Sequence, residues 1–137
     1  KFETFEFNYA GVIGLGTAVD YALSWGLPAI EARVSWLAST LRRRLDRIPG
    51  VTIRDLGRDT CGICTFTVDG HSAEAVKAAL ADRHIRVTVS ERASTRFDMD
   101  RRDLDAVVRA SVHYYNTEEE LDRICAAVAD LAPAPAA

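Results

Sequence analysis

The sequence predicts an α+β domain with helices packed on one face of a small, mainly antiparallel sheet of about three to four strands. Three observations predict it. Apolar positions recur at helical spacing through the first third, the period switches to two after Pro49-Gly50, and helical spacing returns behind Thr117-x-x-Glu120. The order along the chain reads α-α-β-β-α-β-β-α. At 137 residues, 48% hydrophobic and 27% charged, the chain suits one globular domain. A chain of this size can bury roughly two-thirds of its unfolded surface, so a core needs no staples.

Residues 1–9 read as an extended lead-in. "GVIGLGTAVDYALSWG" is apolar almost all round, which predicts a helix buried on several sides, its glycines admitting another backbone. "GLPAIEARVSWLASTLRRRLDRIPG" is amphipathic: Ile30, Val34, Leu37, Leu41, Leu45 and Ile48 form one stripe, Pro28 fits the first turn and Pro49-Gly50 ends it. "VTIRDL" and "GICTFTV" are strands; the second alternates Cys64, Phe66 and Val68 against Ile63, Thr65 and Thr67. Asp69-Gly70 turns the chain and Ser72 caps the helix "AEAVKAALADRH". "IRVTVSE" is a third strand, "RASTRFDMDRRDLDA" a polar loop with one short helical turn, and "VVRASVH" a fourth strand. "TEEELDRICAAVADL" is the last helix, with Leu121, Ile124, Cys125 and Val128 as its stripe. The expected division is a lead-in and buried helix at 1–26, an α+β domain at 27–132 and a disordered Pro/Ala tail at 133–137.

Composition narrows function. A net charge of −3 gives no nucleic-acid footprint. No apolar run reaches the length of a membrane span, and the first residues lack a basic n-region and an apolar h-region. Three cysteines at no framework spacing point to a reducing, cytoplasmic setting. The only lysines are Lys1 and Lys77, which matters for any Schiff-base chemistry.

Most motif-like stretches read as structure. Cys61-x-x-Cys64 has no second ligand pair for zinc and begins a strand rather than a helix, so it reads as small strand residues. "GLGTAV" follows no strand and lacks a third glycine, so helix packing is the better reading than phosphate binding. No serine sits in a G-x-S-x-G elbow, and His71, His84 and His113 have no metal spacing. Arg109 is different: on its strand it shares one face with Val107, Ser111 and His113, opposite Val108, Ala110, Val112 and Tyr114. A buried unpaired guanidinium costs several kcal/mol, so it needs an anion. That anion is either an internal Asp or Glu, or a substrate carboxylate gripped by the two-pronged fork.

The run "VRASVHYYNTEEELDRICAAV" resembles the C-terminal end of class V aminotransferases, the fold-type-I pyridoxal-phosphate enzymes that include cysteine desulfurases. "KFETFEFNYAGVIGLGTAVDYALSWGL" is similar to a second block of that family, in matching register. The resemblance covers essentially the whole chain. It implies the small domain and lead-in of a homodimeric enzyme acting on an amino acid, whose large domain carries the cofactor lysine and most phosphate ligands. Alone, such a chain would hold no cofactor and turn over no substrate; Lys77 matches no Schiff-base position. The resemblance also implies that the first helix packs on the large domain and that Arg109 grips the substrate α-carboxylate. It places Ser94 where group II cysteine desulfurases carry their catalytic cysteine, which argues against a conventional desulfurase. Phe5-Glu6 stands where many relatives place Gly-Thr near a cofactor phosphate, and Arg92 and Arg96 are candidates for a second acidic group on the substrate. Aminotransfer, epimerisation and C–S lysis stay open. The competing reading is a free-standing, non-catalytic α+β binding or regulatory module.

Overall fold

The structure, a computed structural model, describes residues 7–133. The expected lead-in at 1–6, with Phe5-Glu6, and the tail at 134–137 lie outside the described residues. The chain divides into two compact units, Lys1–Arg33 and Val34–Ala137.

The first unit is built on α1 (Tyr9–Trp25). Asn8 caps it, accepting a hydrogen bond from the Gly11 amide. Gly26, at φ 85°, ends it in a conformation that side chains resist. The expectation of a buried helix is not met within this chain: none of the residues of α1 is buried, and Ile13, Leu15, Tyr21 and Trp25 lie open. Nor does a backbone approach its central glycines. A Cβ added at Gly14 or Gly16 would meet nothing within 4 Å. Two glycines inside an exposed helix each cost roughly 1 kcal/mol relative to alanine. Nothing among the described residues offsets that cost.

The second unit holds the sheet. Helix α2 (Leu27–Leu45) enters it, and Leu37, Leu41 and Leu45 of its stripe are fully buried. Strands β1 (Val51–Ile53), β2 (Ile63–Val68), β3 (Thr88–Glu91) and β4 (Ala106–Ser111) form one sheet in the order β1-β2-β4-β3. Every pairing is antiparallel. Helix α3 (Ala73–Asp82) joins β2 to β3, which flank β4 and run parallel to each other. Ser72 caps α3 as expected, and His84, at φ 60°, turns the chain out of it. Helix α5 (Glu118–Ala129) starts with the full capping box: Thr117 accepts from the Glu120 amide and Glu120 accepts from the Thr117 amide.

Strand alternation sets the two faces. Cys64, Phe66 and Val68 point into the core with Val108 and Ala110, against α2, Val76 and Leu80 of α3, and Leu121, Ile124 and Val128 of α5. The opposite face carries Thr65, Arg109 and Thr88, side by side across three strands.

The loop expected before β4 is more ordered than its sequence implies. A 3-10 turn (Arg92–Ser94) leads into a further helix, α4 (Arg96–Arg102), so a helix interrupts the predicted β-β succession. Of its two apolar residues Phe97 stays exposed, and only Met99 buries, with Leu104 and Val107, in a small second cluster. The rest of its support is ionic: Arg102 bonds Asp98 at 2.9 Å and Arg96 meets Asp100 at 3.4 Å, both one turn apart. It stops at Asp103 in the left-handed region, where no glycine announces the end.

Candidate functional site

The site grows from β4. Antiparallel pairing sets Arg109 directly between Thr65 of β2 and Thr88 of β3, on the sheet face turned away from the main core. Arg109 is half-buried, and its Nε is fully buried without a hydrogen-bond partner. Among the described residues no carboxylate forms an ion pair with it. The internal pair that the sequence left open is therefore not made here. The guanidinium borders a cavity of about 360 Å³, together with Lys77, Arg86, Thr88 and Ser111. Lys77 bonds Glu74 at 3.1 Å, one turn away on α3, so its charge is already matched.

The β2 neighbour of Arg109 is held from behind. Asp55 accepts hydrogen bonds from the Thr65 amide (2.8 Å) and hydroxyl (2.5 Å) through one oxygen. Its other oxygen accepts from Arg42 Nε at 2.5 Å, and Arg42 also donates to the carbonyls of Cys61 and Ile63. With 13% and 12% of their side chains exposed, Arg42 and Asp55 form the most buried ion pair of the described residues. Sequence reasoning missed this pair, whose members sit 13 residues apart on different elements and carry no motif.

The other predicted site residues separate from Arg109 in role. Arg92 does not stand free for a ligand: it meets Asp105 at 2.8 Å, Asp100 at 3.0 Å and Asp103 at 3.6 Å. Asp100 foremost, and then Asp105, hold its pKa above the ordinary arginine value. Arg92 thus staples the segment from β3 to β4, and its physical role is internal. Ser94 is exposed in the 3-10 turn. The Arg96 side chain is 79% exposed and, among the described residues, pairs with Asp100 at 3.4 Å, where little attraction survives in water.

Of the two cysteines read as small buried strand residues, only Cys64 is one: Cys61 lies before β2. Cys61 is exposed and Cys64 is buried, so the two do not form a matched pair. Burial, then the neighbouring Asp55, pushes the Cys64 thiol up to about 12 from 9.0. A pKa raised on folding stabilises the protein fully below about pH 9, and that stability is lost as pH climbs through 12. The slope for one proton is about 1.4 kcal/mol per pH unit. Urea unfolding of wild type and Cys64→Ala should therefore show a constant stability gap up to about pH 9 that narrows above it. A gap that stays constant to about pH 11 would refute the buried-thiol account. Among the described residues no cluster of His, Cys, Asp or Glu could hold a metal ion. No helix among them is long and apolar enough to cross a membrane.

The family model for class V aminotransferases matches residues 1–124. The chain belongs to the class V aminotransferase family. A cysteine desulfurase of Synechococcus elongatus is 32% identical over 128 residues, covering 93% of this chain and 20% of that protein. A probable cysteine desulfurase of Xylella fastidiosa is 30% identical, covering 93% of this chain and 30% of its own length. Among solved structures, an apo cysteine desulfurase from Thermococcus onnurineus superposes with a TM-score of 0.86 at 28% identity, covering 95% of this chain and 32% of that one. This class V chain therefore spans about a fifth to a third of the length of the relatives it matches.

The cofactor of the class V family is pyridoxal phosphate, and the described residues do not fit it by themselves. Their only lysine, Lys77, is engaged with Glu74 on an α3 turn, and no second amine stands near Arg109.

Proposed function

We propose that this chain is the small domain of a pyridoxal-phosphate enzyme acting on an amino acid, and that Arg109 holds the substrate α-carboxylate. One observation carries the reading: a half-buried guanidinium, at the edge of a cavity, with no carboxylate partner among the described residues. A charge in that position is stabilised when an anion arrives, and a planar fork accepts a carboxylate in two parallel hydrogen bonds. Such a grip fixes the substrate's orientation, which is a large part of what a catalytic site does.

The cofactor lysine belongs to a large domain of the same polypeptide, and the chain alone neither binds cofactor nor turns over substrate. The exposed apolar surround of α1 and its open glycines supply the surface on which that domain seats. The full protein acts as a homodimer in the cytoplasm. Ser94 replaces the sulfur-accepting cysteine, because a serine hydroxyl does not ionise in the range a thiol does. Conventional cysteine desulfuration is therefore not the proposed reaction, despite the names of the relatives.

The test is the full-length protein loaded with pyridoxal phosphate and screened by absorbance against a panel of amino acids and their decarboxylated amines. Amino acids should perturb the cofactor spectrum at concentrations where the matching amines do not. An equal response to both would remove the carboxylate grip from the account.

A further inference from the structure

We infer that the ligand held by Arg109 carries a second acidic group, and that Arg86 receives it. The inference rests on the reading of Arg109 as a carboxylate grip. Thr88 lies directly opposite Arg109. Arg86 lies just before β3, between Ile85 and Val87, which pack against the main core, and is itself exposed. Arg86, Thr88, Arg109 and Ser111 all line the one cavity. Both arginines are long enough to converge on one small molecule held in it.

The charges in this cavity do not balance. Lys77 is matched by Glu74, but neither Arg86 nor Arg109 has an ion pair among the described residues. Most other arginines near the sheet are committed: Arg42 to Asp55, Arg92 to three aspartates, Arg102 to Asp98. Like charges that face each other on a sheet repel, and a dianion spanning both reverses that repulsion. A monocarboxylic amino acid would engage Arg109 and leave the exposed Arg86 to solvent alone. The chemistry that satisfies both is an α-amino acid whose side chain ends in its own anionic group. Arg92, the sequence's candidate for that second acid, is held by aspartates, and the role passes to Arg86.

Calorimetric titration of the purified protein at low ionic strength separates the two readings. The probes are glutarate, with two carboxylates, and butyrate, with one. Glutarate should bind at least about tenfold more tightly than butyrate, as an added pairing of opposite charges worth about 1.4 kcal/mol requires. Arg86→Gln should erase most of that gap by weakening glutarate far more than butyrate, and Arg109→Gln should abolish both. Arg47→Gln, at an exposed arginine outside the cavity, should change neither. Equal binding of the two probes, or a gap that survives Arg86→Gln, overturns the second-acid inference while the Arg109 grip stands. Butyrate binding that survives Arg109→Gln overturns both.

Discussion

Arg109→Ala in the full-length protein is expected to weaken amino-acid binding about 30-fold to several thousand-fold while the cofactor stays bound. The range follows from the 2–5 kcal/mol that truncating one partner of a desolvated, hydrogen-bonded charge pair costs, at about 1.4 kcal/mol per tenfold. Arg109→Lys keeps the charge but loses the fork, so it should recover only part of the loss. Stability gives the contrasting readout. An arginine in a buried structural ion pair cannot be removed alone without destabilising the fold. Arg109 has no such pair among the described residues, so its removal should change the unfolding free energy of the chain by no more than about 0.5 kcal/mol. A large loss of stability together with unchanged substrate affinity would assign Arg109 to the fold instead of the ligand.

The contrast between Arg109 and Arg92 shows what a sequence can and cannot say about a charge. The alternation in "VVRASVH" was enough to set Arg109 on one face with Val107 and Ser111, and β4 has that alternation, with Val108 and Ala110 in the core. Alternation also placed Cys64, Phe66 and Val68 inward, and the Thr117–Glu120 spacing marked the start of α5. These are local rules, read within a few residues. Which arginine is neutralised depends on partners that local rules do not bring together. Arg92 meets Asp105 because β3 and β4 are neighbours, and Arg42 meets Asp55 because α2 passes the end of β1. Helix α4 was hidden for a related reason: with only Met99 as an apolar anchor, it has no stripe to read. Arg86 was legible in principle. The period of two in "IRVTVSE" puts Arg86, Thr88 and Ser90 on one side, and only the register with β4 reveals that the side is that of Arg109.

The same long-range partnering makes Asp55 the residue whose loss should cost the fold most for a single polar substitution. Asp55→Ala is expected to lower stability by about 3–5 kcal/mol, because it strands Arg42 in a site where water cannot replace the lost carboxylate. Arg42 is only 13% exposed, and the two carbonyls it also serves, of Cys61 and Ile63, cannot neutralise its charge. The amide and hydroxyl of Thr65 lose their acceptor in the same change. Asp55→Asn keeps an acceptor but not the charge and should fall between the two. Replacing both partners, as Arg42→Met with Asp55→Leu, should recover much of the loss, since a buried pair is harder to halve than to exchange for apolar packing. By comparison, Lys77→Ala breaks a pair whose side chains are 44% and 57% exposed, and about 0–1 kcal/mol is all that solvent leaves there. Urea unfolding of the four variants decides the matter, and an Asp55→Ala midpoint no lower than that of Lys77→Ala would refute the claim. Since Asp55 holds Thr65, and Thr65 is the β2 neighbour of Arg109, Asp55→Asn should also loosen the ligand's grip without touching the ligand. That places one end of the binding site's rigidity in an ion pair on the far side of β2.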